Sequence, residues 1–169
     1  MGLFIKGITT ADDLFLHTLR DIYYAEHQIA KNLPAMAEKA QSPELRNAFQ
    51  QHLRETEGQI ERLDRVFTAI GKDASGVTCQ AMDGILAEAK EIMTECEDAS
   101  VRDAAMLSGA QTVEHYEMAR YGTLVAMARD KGLQDVVGLL EQTLEEEKAT
   151  DKKLTEIALS RVNRQAAAA

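Results

Sequence analysis

Apolar residues recur at steps of three and four along four long stretches of the chain. In the first stretch, for example, Phe15, Leu19, Ile22, Ile29 and Leu33 follow this spacing. Such spacing places the apolar side chains on one face of an α-helix, where they can pack against other helices. The pattern therefore predicts four long amphipathic helices, over about residues 10–40, 43–70, 100–131 and 134–162.

Short turns are predicted within two pairs of these helices. Ser42 followed by Pro43 is typical of a helix start, and it comes directly after the first stripe ends. Gly132 follows a basic last turn, which is typical of a helix end. Helices joined by so few residues lie next to each other and run antiparallel.

A longer connection, over residues 71–99, separates the two pairs. It contains a shorter apolar stripe that predicts a fifth helix at about 80–96, and we expect Ser100 to cap the long helix that follows. Two antiparallel pairs joined by a long connection predict an all-α fold: a ferritin-like antiparallel four-helix bundle with a long crossover connection that carries an extra short helix. We expect one domain, over residues 1–169.

Acidic residues lie within or beside each of the four stripes near its middle: Glu117 borders the third stripe, Glu55 lies beside the polar middle of the second, and the others fall within a stripe. These candidate site residues, together with one histidine, are Glu26, His52, Glu55, Glu114, Glu117, Glu147 and Asp151. Counted from the predicted turns at Ser42 and Gly132, the acids lie 13 to 19 residues away. At about 1.5 Å of rise per residue they all lie near one level of the bundle. Because an ionised carboxylate buried without a partner costs several kcal/mol, such a layer requires a compensating partner.

Bound metal ions are the partner that this layer favours. Six neighbouring carboxylates repel one another, and two divalent cations would offset four of their charges. Gln59 and Gln111 could supply further neutral ligands or hydrogen bonds, as could the imidazole of His52. A set of ligands rich in oxygen suits iron or manganese better than structural zinc. The sequence therefore predicts two iron or manganese ions, held by the seven candidate residues.

Taken singly, these residues also have simpler interpretations. One glutamate in a stripe can reflect a misjudged helix face, and His52 alone would be a hydrogen-bonded core histidine. His17, His27 and His115 are predicted to lie at the surface. A helical bundle with a polar interior and no metal therefore remains an alternative, and the coincidence on four helices favours the metal.

Composition and charge limit the possible binding partners and the compartment of the protein. A net charge of −9 without any basic cluster argues against a nucleic-acid partner. No apolar run is long enough to cross a bilayer, and residues 1–6 are too short for the apolar part of a signal peptide. Cys79 and Cys96 are too few for a disulfide framework, and reduced thiols are the simpler interpretation. We therefore expect a soluble cytoplasmic protein.

Four motifs, which span about residues 8–160, resemble the YciE/YciF family of bacterial stress proteins. The motifs are Asp21-x-Tyr23-x-Ala25-Glu26, His52-x-x-Glu55-Thr56-x-x-Gln59-x-x-Arg62, Val113-Glu-His-Tyr-Glu117 and Glu146-Glu147-x-x-Thr150-Asp151. The resemblance implies a ferritin-like fold related to that of rubrerythrin, a cytoplasmic homodimer and a link to stress responses.

The ferritin-like pattern also implies which residues bind metal: Glu26 on the first helix, Glu114 and Glu117 on the third, and a pair on each of the others. This chain lacks the usual Glu-x-x-His pairs on its second and fourth helices. In their place stand His52 with Glu55 and Gln59, and Glu147 with Asp151.

Two functions from different classes follow. The first is a ferritin-like stress-response protein with a carboxylate-rich dinuclear iron or manganese centre, which as an enzyme would be an oxidoreductase acting on peroxide or oxygen. The second is a structural or interaction protein, a helical dimer whose acidic layer is empty or partly filled. Metal analysis of the purified protein distinguishes the two.

Overall fold

The computed structural model describes residues 7–169, and every regular element in that range is helical, which confirms the predicted all-α class. The prediction about residues 1–6 lies outside the described residues. The five main helices are α1 (Ala11–Lys39), α2 (Pro43–Ala69), α3 (Gln80–Glu95), α4 (Ala99–Asp130) and α5 (Gln134–Ile157). A π-helical segment, Ala158–Val162, and a short α6, Asn163–Ala166, continue from α5.

Local sequence determines where most helices begin. Thr10 and Asp13 form a capping box at the start of α1, each side chain bonding the other residue's backbone N–H. At α2, Ser42 is the cap and Pro43 occupies the first turn, as predicted. The expectation for α4 was wrong: Asp98 caps this helix rather than Ser100, because its Oδ1 accepts hydrogen bonds from the backbone N–H groups of Ser100 (2.7 Å) and Val101 (3.0 Å).

Two glycines at helix ends have the left-handed backbone conformation that the turns require. Gly71 follows α2 with φ of 66°, and Gly132 follows α4 with φ of 71°. The C-terminal end of α5 also differs from the prediction. Regular α-helix stops at Ile157, and the π-helical segment occupies the last residues of the predicted helix.

The four long helices surround a shared interior. α1 packs against α2, α2 against α5, α5 against α4, and α4 against α1, while α3 lies against α4 and α1. Phe49, Phe67 and many aliphatic side chains fill the two ends of this interior. Its middle is polar, with buried Glu26, Glu114 and Glu147 among the residues there. The fold therefore brings the interrupted middles of the stripes together.

Three other sequence expectations concern positions spread along the described residues. Across residues 7–169, no helix combines the length and the apolar character that crossing a bilayer requires. Cys79 and Cys96, both within that range, form no disulfide. His17, His27 and His115 are exposed, as predicted.

Candidate metal centre

Four side chains from three helices meet in the polar middle of the core. One nitrogen of His52 (α2) and one carboxylate oxygen from each of Glu114 and Glu117 (α4) and Glu147 (α5) all lie within 4.8 Å of one another. The three glutamates have no exposed surface, and His52 is 3% exposed. We call these four residues the acidic cluster. Its ligand types and spacing are those of a site that can hold a metal ion.

α1 adds a fourth buried carboxyl beside the acidic cluster. Glu26 is completely buried, and its carboxyl lies within hydrogen-bond reach of that of Glu117. On its other side, the hydroxyl of Tyr121 donates a hydrogen bond to Glu26 Oε1. Glu26 is thus oriented by a tyrosine and directed towards the glutamates of α4.

Most oxygen atoms of these carboxyls have no hydrogen-bond donor among the described residues. They are Oε2 of Glu26 and both oxygens of Glu114, Glu117 and Glu147. Two neighbouring carboxyls can form a hydrogen bond only when one of them holds a proton. If all these glutamates were ionised, no hydrogen-bond donor would compensate the negative charges on these oxygens. Buried polar groups in proteins are almost always satisfied, so a set of this size requires either bound cations or retained protons.

The electrostatics of these side chains by themselves favour retained protons. Burial raises the pKa of Glu26 to about 7, although the Tyr121 hydrogen bond opposes the shift. Burial also raises the pKa of Glu114 to about 8, and the charges of Glu26, Asp151 and Glu55 add to the effect. Burial, then the charges of neighbouring glutamates, raises the pKa values of Glu117 and Glu147 well above the ordinary range. A bound cation would replace these protons.

His52 contributes a neutral imidazole. Its Nδ1 lies 3.3 Å from Glu114 Oε1, and its Nε2 is buried without a partner. Burial lowers the pKa of His52 to about 4, which keeps the ring uncharged at neutral pH. Neutral imidazole is the form that binds metals.

The other two predicted site residues lie at the edge of the site rather than in the acidic cluster. Glu55 is partly exposed and accepts hydrogen bonds from Gln51 (2.7 Å) and Thr150 (3.3 Å). Asp151, with 23% of its side chain exposed, accepts a hydrogen bond from Gln111 (3.2 Å) and lies 3.3 Å from His115 Nε2. Both remain close enough to raise the pKa of Glu114. They form a polar flank between α2, α4 and α5.

An ion pair next to the acidic cluster joins α2 to α5. The guanidinium of Arg62 donates two hydrogen bonds to Glu146, of 3.0 and 2.9 Å, and a third to Thr143. Only 11% of the Arg62 side chain is exposed, and its charge lowers the pKa of Glu26. Arg62 is therefore a fixed positive charge beside a negative site.

Replacing Arg62 should destabilise the protein. We expect Arg62→Met to lower the free energy of unfolding by about 2 kcal/mol, because charge-assisted hydrogen bonds are lost and Glu146 keeps only weaker partners. Urea denaturation followed by circular dichroism measures the change. Arg65→Met, at an exposed position of the same helix, is the control and should change stability little. Equal effects of the two substitutions would contradict the role assigned to Arg62.

Sequence reasoning missed two of the residues just described. Tyr121 lies one helical turn from Glu117, and a buried hydroxyl needs a partner. Arg62 follows Gln59 on the same side of α2, a position that could have indicated a charged neighbour of the site. The signal in both cases was a polar group on the face that carries the acids.

The chain is similar to known proteins over nearly its whole length. It is 45% identical to protein YciF of Escherichia coli K12 over 161 residues, which cover 95% of this chain and 97% of that one. The crystal structure of YciF, described as a stress protein, matches with a TM-score of 0.88 and 44% identity, over 92% of this chain and 99% of that one. The resemblance to the YciE/YciF family is thereby confirmed.

Two further solved structures are similar. YcfI from Rhodopseudomonas palustris, for which a structural role has been suggested, matches with a TM-score of 0.88 and 52% identity, over 90% of this chain and 98% of that one. A protein from Xanthomonas campestris shares the fold, with a TM-score of 0.68 and 24% identity. The sequence model of the family described as a domain of unknown function, DUF892, matches residues 10–167, and the chain therefore belongs to that family.

Proposed function

We propose that this protein is a ferritin-like stress-response protein whose interior binds two iron or manganese ions. The observation that carries the proposal is the set of buried carboxylate oxygens without donors, contributed by α1, α4 and α5 around a neutral imidazole from α2. Metal ions would neutralise this set, whereas Arg62 offsets only part of its charge and no donor among the described residues reaches these oxygens. The similarity to a protein described as a stress protein supports the stress-response part.

The proposal includes the finer architecture. We take the four long helices as an antiparallel four-helix bundle of the ferritin type, with the segment between α2 and α4 as the crossover connection and α3 as its extra helix. The short turns within each pair and the closed ring of packing among α1, α2, α5 and α4 support this arrangement.

The residues present fit iron or manganese. Glu114, Glu117, Glu147 and His52 would be the central ligands, Glu26 would join them from α1, and the flank residues Glu55 and Asp151 would complete the set after side-chain movement. One imidazole among carboxylates suits these metals, and thiolates, which favour structural zinc, are absent from the acidic cluster. Bound iron or manganese would supply a Lewis acid and a redox couple.

The surrounding chain would control the chemistry of the site. Tyr121 orients Glu26 and can hold a proton next to it. Complete burial excludes water from the carboxylates, which strengthens every electrostatic interaction among them. Arg62 balances part of the negative charge. Such a site would suit a reaction with peroxide or oxygen, and this part of the proposal rests on the likeness of folds.

A second function competes with the first. The suggestion of a structural role for the Rhodopseudomonas palustris relative favours a non-catalytic helical homodimer with an empty or partly filled acidic layer. In that case purified protein would contain almost no iron or manganese, and adding either ion would leave its thermal stability unchanged.

Loss of one ligand tests the metal proposal directly. We expect Glu114→Ala to lower the iron or manganese content per chain severalfold, because this glutamate contacts both His52 and Glu147, and to leave the helical circular dichroism signal intact. Inductively coupled plasma mass spectrometry measures the metal. Glu57→Ala, at an exposed position of α2, is the control and should retain wild-type metal content. Full metal loading of Glu114→Ala would count against the assignment.

A further inference from the structure

We propose that an apolar passage beneath α3 admits uncharged molecules of the size of dioxygen to the His52 side of the acidic cluster. This inference rests on the proposed function, because the passage would carry dioxygen to a centre that holds metal ions. Its geometry depends on the packing of α1, α3 and α4 around His52 of α2, so it can be tested without metal ions.

An inner cavity of about 30 Å³ reaches the imidazole of His52. Apart from Asn32 and His52 its lining residues are apolar, and they include Ile29, Ala110 and Val113. The Nδ1 of the same imidazole lies 3.3 Å from Glu114 Oε1, within the acidic cluster. A space of this volume holds one or two molecules of the size of water, and its apolar walls offer water few partners.

An outer cavity of about 190 Å³ lies next to the inner one. The two cavities share Asn32, Met36, Leu86 and Ala89. The side chain of Lys39, which is exposed, also lines the outer cavity. The two spaces therefore form a line from the surface, between α1 and α3, to His52.

The close approach of α3 to α4 narrows the passage. Gly109 of α4 faces Ala89 of α3 so closely that a Cβ added to Gly109 would lie 2.9 Å from the Ala89 Cβ. Both residues line the inner cavity. Small side chains at this contact keep the space open, and larger ones nearby should close it.

The chemistry of the walls selects the molecule. An ion that enters an apolar cavity loses its hydration, which is prohibitive, and peroxide would lose hydrogen bonds to both of its hydroxyl groups. Dioxygen is apolar and makes almost no hydrogen bonds with water, so it loses almost no interactions when it enters the cavity. Metal ions have a different approach in the polar flank, where Glu55 and Asp151 are partly exposed. The passage therefore suits dioxygen.

Xenon provides a first test, because it binds in apolar cavities without needing a metal. Crystals of the metal-free full-length protein under xenon pressure should show xenon in the inner or outer cavity. Ala110→Leu, which fills the inner cavity, and Ala89→Leu, at the less buried contact on α3, should each lose the inner xenon site. Ala87→Leu, at an exposed position of α3, should retain it. Absence of xenon from both cavities of the wild type would overturn the proposal.

Dissolved oxygen provides the second test. The paramagnetism of dioxygen should speed the relaxation of the His52 ring protons in the wild type, and this enhancement should be lost in Ala89→Leu or Ala110→Leu, whichever variant folds. The other three histidines are exposed and serve as internal standards. An unchanged enhancement at His52 in both folded variants would overturn the passage.

Measuring the metal content distinguishes a failure of the passage proposal from a failure of the proposed function. Ala89→Leu should bind as much iron or manganese as the wild type, because ions do not use the apolar route. A reduced metal content in this variant would overturn the selectivity proposed here. Absence of metal from the wild type would refute the proposed function, whereas the xenon and oxygen measurements would still decide whether the passage exists.

Discussion

Glu147→Gln is expected to stabilise the metal-free protein at neutral pH and to abolish its stabilisation by metal. Glu147 is fully buried among other carboxyls, and its oxygen atoms have no donor. To fold at pH 7, the native state must either retain a proton on this group or bury its charge. Retaining a proton at pH 7 on a carboxyl with an ordinary pKa near 4.5 costs about 3 kcal/mol. Glutamine has nearly the same shape and does not incur that cost.

Thermal unfolding with a chelator, and again with iron or manganese, measures both effects. The melting temperature of Glu147→Gln should exceed that of the wild type without metal, and adding metal should raise it little. Glu145→Gln is the matched control, because Glu145 lies two residues earlier on α5 and is exposed. It should behave as the wild type does. If the Glu147→Gln protein is less stable than the wild type in the presence of chelator, the assignment of an uncompensated carboxyl to Glu147 is wrong.

The stability of the metal-free wild type should fall steeply as pH rises from 6.5 to 8.5. In the folded protein the pKa of Glu114 is raised to about 8, and those of Glu117 and Glu147 are raised well above the ordinary range. In the unfolded chain the same groups lose their protons near pH 4.5. The folded state therefore binds more protons than the unfolded state in this window, so the free energy of unfolding decreases with pH.

The choice of window isolates these groups. The folded pKa of His52 is lowered to about 4, so this group contributes a change only below about pH 6.5, where the unfolded imidazole takes up a proton. Melting temperatures at several pH values, with a chelator, give the slope. Saturating metal should weaken or reverse it, since cations compete with protons for the same oxygens. A flat profile in the chelated protein would contradict the raised pKa values.

Helical periodicity was sufficient to predict the helices and the side of each that faces inward. Glu26, Glu114 and Glu147 interrupt apolar stripes, and all three are completely buried. Capping residues located most helix starts to within a residue, and Asp98 was missed because Ser100 is an equally good cap in sequence terms. Periodicity works here because a helix rotates by a fixed angle per residue, whatever it packs against.

Periodicity was less informative about residues at the border of a stripe. Glu117 was placed beside the stripe, yet it is fully buried, whereas Asp151 was placed within a stripe and is partly exposed. At such angles burial depends on the neighbouring helix: Glu117 meets Glu26 of α1, and Asp151 meets His115 at the surface. The cavity beside His52 depends on the position of α3, which no stripe on the long helices could indicate.

The polar middle of the core also determines how the helices can slide past one another. It separates two apolar ends, so displacing α5 along its axis by one turn, about 5.4 Å, would push the Glu147 carboxyl in among aliphatic side chains. A purely aliphatic interior would accept several such registers at similar energy. Here each displaced register would bury a carboxyl away from the other proposed ligands, where no shared cation could compensate its charge, at a cost of several kcal/mol. The same groups that make this core costly therefore specify a single alignment of its helices.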